Sequence, residues 1–276
     1  MDLDDAPAQA AYRARLRAWL DANRDRAPVL HGPGAIADPE ARVAARRAWQ
    51  RALAEGGYAG IAWPREYGGQ GLGPAEQIIV DQELSRAGVP GVLDQLGLGM
   101  IGQTIIARGT EAQKDRYLGP MLHADEVWCQ LFSEPGGGSD LAGLTTRAVA
   151  NPDGMWTANG QKVWTSNAQF AAFGLMLART DPTVPKHRGL TMFIVPIDAP
   201  GVTVHGVRQI SGEAEFNEVF LDDVRLAPDA VVGAVGDGWA VALTTLMFER
   251  FTAAFEADRL GYRADRYVAA IAAVPG

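Results

Sequence analysis

Trp128-Cys-Gln-Leu-Phe-Ser-Glu-Pro-Gly-Gly-Gly-Ser-Asp-Leu141 is the stretch on which the reading of this chain turns. An apolar, aromatic run ends at Phe132 and predicts a buried segment. It breaks at Pro135, and three glycines follow before Ser139. Glycines carry no side chain, so the backbone here can come close to something flat or bulky. A second marker lies downstream, Gly160-Gln-Lys-Val-Trp-Thr-Ser-Asn167. A glycine turn alone is usually only a turn, and a tryptophan beside Ser and Asn is more often core than cofactor wall. The two together, in this order and spacing, say more than either.

Outward from these markers the hydrophobic period changes twice. Upstream, residues 8–26 carry Leu16, Trp19 and Leu20 at helical spacing. Pro39 suits the first turn of a second helix reaching Glu55, and Gly56-Gly57 ends it. A glycine-rich loop from Trp63 to Gly73 precedes helices predicted at 74–87, 91–108 and 110–123, the last opened by a capping box at Thr110 and Gln113. Beyond Glu126, short β-branched or aromatic runs at Thr145–Val149, Met155–Asn159, Gln161–Thr165, Phe173–Thr180, Leu190–Pro196, Val202–Val207 and Glu218–Leu221 alternate with Asn, Asp, Gly and Pro. They predict a small barrel or sandwich. From Gly238 the helical period returns, with Trp239, Leu243, Leu246, Met247, Phe251 and Phe255. The expected fold is therefore α+β in several domains: an all-helical N-terminal domain over 1–124, a middle β-barrel or sandwich over 125–234, and the start of a C-terminal helical domain over 235–276.

Composition excludes several function classes. The 276 residues suffice for about two domains. With 47% hydrophobic and 21% charged residues, the chain can build a sizeable core. A net charge of −8 disfavours a nucleic-acid surface, which needs a basic patch. The single cysteine, Cys129, rules out an internal disulfide framework and fits a reducing compartment. No apolar run approaches the ~20 residues of a membrane span, and Asp2, Asp4 and Asp5 have the wrong sign for a targeting peptide. A cytoplasmic protein without a membrane span is expected. His31, His123, His187 and His205 are scattered without metal-ligand spacing. Gly-x-Ser-x-Gly is absent around Ser139, as are the phosphate-loop and dinucleotide fingerprints.

The two markers and the order helices, strands, helix resemble the acyl-CoA dehydrogenases over residues from about 10 to 260. These are flavoenzymes that desaturate acyl thioesters. The resemblance implies FAD as cofactor. It places Gln130, Phe132 and Ser133 along the flavin ring, with the Ser133 hydroxyl near the redox nitrogen. It places Trp164 over the isoalloxazine, Ser166 at a polar contact, and Ser139 at the flavin phosphate and, through its backbone, the substrate. Flavin binding of this type does not use the dinucleotide fingerprint. The catalytic carboxylate of most members lies on a late loop; a minority carry it just before an arginine early in the last domain. Glu249-Arg250 matches that second pattern, which makes Glu249 the implied base and Arg250 part of the substrate site. On a helix, Glu249 shares a face with Ala242, Thr245 and Ala253, small residues that leave room for a substrate. A solvated helix glutamate is the plainer reading of the same position.

The implied activity is α,β-desaturation of an acyl-CoA to the trans-2-enoyl-CoA, with electrons passed to an electron-transfer flavoprotein. Family members continue with several more helices beyond the point where this sequence ends, so either the chain is truncated or a partner supplies the rest. That leaves a second reading, a non-catalytic or half-site subunit assembling with a full-length partner, and a weaker third, an acyl-CoA oxidase. A homo- or hetero-oligomer is expected in each case, because an incomplete helical bundle exposes apolar faces.

Overall fold

A computed structural model describes residues 5–30, 32–210, 212 and 214–259, with side chains described as far as Arg250. Prolines start the first three helices: α1 (Pro7–Asn23), α2 (Pro39–Glu55) and α3 (Pro74–Ala87). At the first helical position the fixed φ of proline fits, and its missing N–H is one the helix leaves unpaired anyway. Asp38 caps α2 by accepting the Ala41 N–H at 2.8 Å. The capping box expected at Thr110 opens α5 (Glu111–Leu122): Thr110 Oγ1 accepts the Gln113 N–H at 3.2 Å, and the Thr110 N–H reaches Gln113 Oε1 at 3.0 Å.

One helix expected over 91–108 is shorter. Helical backbone begins at residue 95, passes through a π-turn at Gly97–Ile101, and continues as α4 (Gly102–Arg108). The missing start is explained by α2, whose side chains take up the backbone before it. Trp49 Nε1–H donates to the Pro90 carbonyl at 2.7 Å, Arg46 donates to the Val92 carbonyl at 3.2 Å, and Gln50 Oε1 accepts the Asp94 N–H at 2.8 Å. Backbone groups satisfied this way have no need of a helix.

The β-region is an eight-stranded sheet of β1 (Trp128–Leu131), β2 (Arg147–Ala150), β3 (Trp156–Ser166), β4 (Phe173–Arg179), β5 (Leu190–Pro196), β6 (Val202–Val207), β7 (Phe216–Leu226) and β8 (Val231–Val232). The strand order is β6-β7-β3-β2-β4-β5-β8, with β1 pairing in parallel with β4. Its core includes Leu131, Met176, Phe193, Val195, Val219 and Val224. The two runs expected on either side of Gly160 form one strand, β3. The chain passes Gly160 at φ +155°, and an added Cβ would sit 2.4 Å from Thr146 Oγ1 and 2.7 Å from Thr146 Cα. Gly160→Ala should therefore lower unfolding stability by about 1–3 kcal/mol in urea titrations; an unchanged midpoint would show that the strand can shift to accept it.

Packing divides the chain differently from element type. One compact unit runs to Gln95 and takes in Leu122–Ala124 and the end of the last helix from Arg250. The other holds Leu96–Met121 and Asp125–Glu249, so α4 and α5 group with the sheet. Gln113 is a reason for this: its Nε2 donates to the carbonyls of Asp229 and Val231 at 2.8 and 2.9 Å.

In the first unit α1 packs on α3, and Leu16 and Leu20 of α1 and Ile79 and Leu84 of α3 are buried. Glu83 is buried there and receives Arg13, Arg17 and Arg86 at 2.7–2.9 Å. Burial pushes its pKa up, but the three guanidinium groups outweigh burial and hold it at about 2. A folded pKa below the unfolded one means that this stabilisation is present above about pH 4.5 and is lost as pH falls towards 2. Thermal melts followed by circular dichroism should fall steeply across that window, and Glu83→Gln should flatten part of the dependence. A melting temperature independent of pH there would contradict the assignment.

Candidate flavin and substrate site

The two sequence markers meet at a bulge in β3. Lys162 pairs with Val219 and Thr165 with Asn217, so β3 advances three residues where β7 advances two. The extra residue re-aims the side chains around it. At the bulge the Val163 N–H donates to the Ser133 carbonyl at 2.9 Å, stitching the second marker to the first. Trp164 follows at φ +59°, a conformation that bulky residues rarely adopt and that costs of order 1–3 kcal/mol. It turns the indole outward: Trp164 is 61% exposed, with an edge-on contact to Phe216 at 6.0 Å. Ser166 lies two residues further along the same strand, half-buried.

Beneath the bulge sits an ion pair that sequence reasoning missed. Lys162 is fully buried, and its ammonium donates to the Phe132 carbonyl at 3.1 Å, the Leu177 carbonyl at 2.8 Å and Glu134 Oε1 at 2.9 Å. Glu134 also accepts the Thr145 N–H and hydroxyl at Oε2 (2.7 and 2.8 Å) and the Thr146 N–H at Oε1 (2.9 Å). Burial raises the Glu134 pKa, but the Lys162 charge and the threonine donors outweigh it and hold it at about 2. Burial lowers Lys162 to about 8, against the opposing pull of Glu134. Both groups are thus ionised near neutral pH. One lysine ties together β1's exit, β3 and β4.

The glycine turn is tight and open. The Glu134 N–H donates to the Gly137 carbonyl and the Gly137 N–H to the Glu134 carbonyl, each at 3.0 Å. A Cβ added at Gly136 or Gly138 would meet nothing within 4 Å, and at Gly137 only the Asp140 carbonyl at 3.5 Å. None of the three has positive φ. Neither backbone geometry nor the chain's own packing demands glycine here, so the bareness of the turn leaves room for something outside the chain. Ser139 is exposed just past it.

Glu249 is set by other elements. It lies half-buried on α6 (Gly238–Arg259), and Arg250 beside it is exposed. One turn earlier, Thr245 is buried and accepts the Thr104 hydroxyl of α4 at 3.0 Å. Ala242 is buried as well. The small residues expected to leave room for a substrate at 242 and 245 are instead closed off, and at Thr245 the contact made is with α4. Ala253 lies outside the residues whose side chains are described.

Of the residues expected at the flavin, Ser133, Trp164 and Ser166 are brought together by the Val163 bond and by shared strand. Gln130 is half-buried in β1, opposite Leu175. Phe132, the residue after β1, is buried at 4% exposure. The residues that sequence reasoning passed over are Glu134, Lys162 and Asn217. A lysine inside an apolar strand and a glutamate directly before the glycine turn were the available signals.

The family model described as the acyl-CoA dehydrogenase N-terminal domain matches residues 9–125, and the one for the middle domain matches residues 129–224. The chain belongs to the acyl-CoA dehydrogenase family. It is 44% identical over 240 residues to acyl-CoA dehydrogenase IpdE1 of Mycobacterium tuberculosis, covering 87% of this chain and 62% of that protein. The solved Tcur3481-Tcur3483 steroid ACAD superposes with a TM-score of 0.79 at 33% identity, covering 98% of this chain and 68% of that one. The ChsE4-ChsE5 complex from Mycobacterium tuberculosis gives 0.74 at 32% identity, covering 90% and 61%. The chain thus spans about two thirds of the length of these relatives.

Acyl-CoA dehydrogenases are generally flavoproteins. The residues present fit a flavin. An outward indole offers a flat apolar face, Ser133 and Ser166 are half-buried hydroxyl residues on the two joined segments, and the bare turn has open space for a bulky group. Among the described residues, no cluster of three or more His, Cys, Asp or Glu could hold a metal ion, and no helix is long and apolar enough to cross a membrane.

Proposed function

We propose that this chain is the flavin-bearing part of an FAD-dependent acyl-CoA dehydrogenase. The observation that carries the reading is the Val163 N–H to Ser133 carbonyl bond, because it joins the two markers into one wall with an exposed tryptophan. Bound FAD supplies the hydride acceptor. Trp164 would help hold the ring, offering it a flat apolar surface. Ser133 and Ser166 hold its polar edge, each hydroxyl able to donate or accept. The bare turn and Ser139 receive the phosphate-bearing part of cofactor or substrate. Glu249 removes the α-proton of the thioester, and Arg250 belongs to the substrate side.

The product is the trans-2-enoyl-CoA, and an electron-transfer flavoprotein takes the electrons. The similarity to the Tcur3481-Tcur3483 steroid ACAD makes a ring-bearing acyl-CoA a first substrate to try beside straight chains. The test is spectroscopic. Purified protein should carry visible flavin bands that bleach anaerobically on adding acyl-CoA. A flavin-loaded protein that no acyl-CoA of any length or ring content reduces would overturn the reading.

A second reading has its own support. ChsE4-ChsE5 is a complex of two proteins, and this chain could likewise contribute part of a site to a longer partner. A stable flavin-loaded oligomer of this chain alone would count against it, whereas flavin retained only on co-expression with an acyl-CoA dehydrogenase partner would favour it.

A further inference from the structure

Asn217 is fully buried on β7, opposite Thr165 across the bulge. Its Nδ2 donates to the Thr165 carbonyl at 2.9 Å and to Gln169 Oε1 at 2.6 Å, with a longer approach to the Glu215 carbonyl at 3.4 Å. The Thr165 carbonyl lies immediately after Trp164. Two residues of this segment hold left-handed backbone, Trp164 at φ +59° and Asn167 at φ +66°, and the Asn217 contact falls between them. The Asn167 N–H returns to the same Glu215 carbonyl at 3.3 Å. A strained non-glycine conformation persists only when its surroundings over-determine it. The spot asks for a short planar group with two N–H donors facing two acceptors, which asparagine supplies. Aspartate of the same shape would set oxygen against oxygen, and leucine would face both acceptors with no donor.

We propose that Asn217 is a positioning residue: by donating to the Thr165 carbonyl it holds the bulge that turns Trp164 outward, and so sets the wall of the cofactor site. The consequence for FAD rests on the flavin reading above; the consequence for Trp164 does not. Three variants decide it: Asn217→Ala, Asn217→Asp, and Val219→Ala as a control that truncates a buried neighbour on the same strand. The signal of Trp164 is isolated from the other tryptophans by subtracting the fluorescence of a Trp164→Phe protein made in each background.

In both Asn217 variants the isolated emission should move to shorter wavelength and acrylamide quenching should fall, as the released bulge lets the indole turn in from its exposed position. FAD binding should weaken about tenfold. Val219→Ala should lose stability in urea but keep the parental Trp164 signal. Parental Trp164 emission and quenching in both Asn217 variants would overturn the proposal, as would an equal change in Val219→Ala, which would mark a general loss of packing. Should Asn217→Ala and Asn217→Asp fail to fold, Asn217→Ser, which keeps one short donor, is read the same way. If the parent binds no FAD, the flavin reading fails while the fluorescence still decides the role of Asn217.

Discussion

Glu249→Gln should leave flavin binding at its parental value and lower the rate of flavin reduction by acyl-CoA roughly 10²–10⁴-fold. Glutamine keeps the size and shape of the side chain but cannot serve as the base. The position suits the task mechanically. Glu249 is half-buried on α6 one turn past Thr245, which is fixed to α4 through the Thr104 hydroxyl. A base held on an anchored helix loses little entropy in reaching its proton, whereas one on a free helix end would. Its neighbour Arg250 is exposed. Anaerobic stopped-flow reduction at the flavin bands measures the effect directly. A variant reduced as fast as the parent would remove Glu249 from the mechanism and send the search for the base to another carboxylate, while leaving the flavin wall untouched.

Lys162→Met should cost about 3–5 kcal/mol of unfolding stability, the typical loss when one partner of a buried ion pair is removed. Methionine fills the volume but leaves the Glu134 carboxylate buried without its cation, and leaves the Phe132 and Leu177 carbonyls without that donor. The double variant Lys162→Met with Glu134→Leu should recover part of the loss, because a buried pair replaced by apolar groups of similar size is often neutral. Urea titration of the four proteins gives the coupling directly. Flavin affinity should not recover with stability: Thr145 and Thr146 would still lack the carboxylate that orders the turn after Ser133. A single variant as stable as the parent would show that water reaches the pair and that the sheet does not depend on it.

Much of this molecule is legible in its residues. Prolines at 7, 39 and 74 and the Thr110–Gln113 box announce helix starts because their signals are local, acting within one turn. The short β-branched runs announce strands for the same reason. The glycine turn and the Gln-Lys-Val-Trp-Thr-Ser run stand out because no local rule asks for three bare residues there. The early helix start expected near 91 fails for a non-local cause, the capture of residues 90–94 by Trp49, Arg46 and Gln50 from about forty residues away.

The side-chain directions within the site belong to the tertiary structure. A period of two along β3 would put Lys162, Trp164 and Ser166 on one face. The bulge between Lys162 and Thr165 breaks that period, burying the lysine completely and leaving the tryptophan 61% exposed. Sequence alone determined that this chain has the helices, the strands and the two sequence markers of an acyl-CoA dehydrogenase, since each is written in neighbouring residues. Which of those markers' side chains face outward, and which hold the others from below, was decided by strands far apart in the chain: one residue slipped against β7, one N–H turned to Ser133, and one lysine shared among three acceptors. An extra residue in a ladder has no local signature, because it exists only relative to the partner strand that it fails to match.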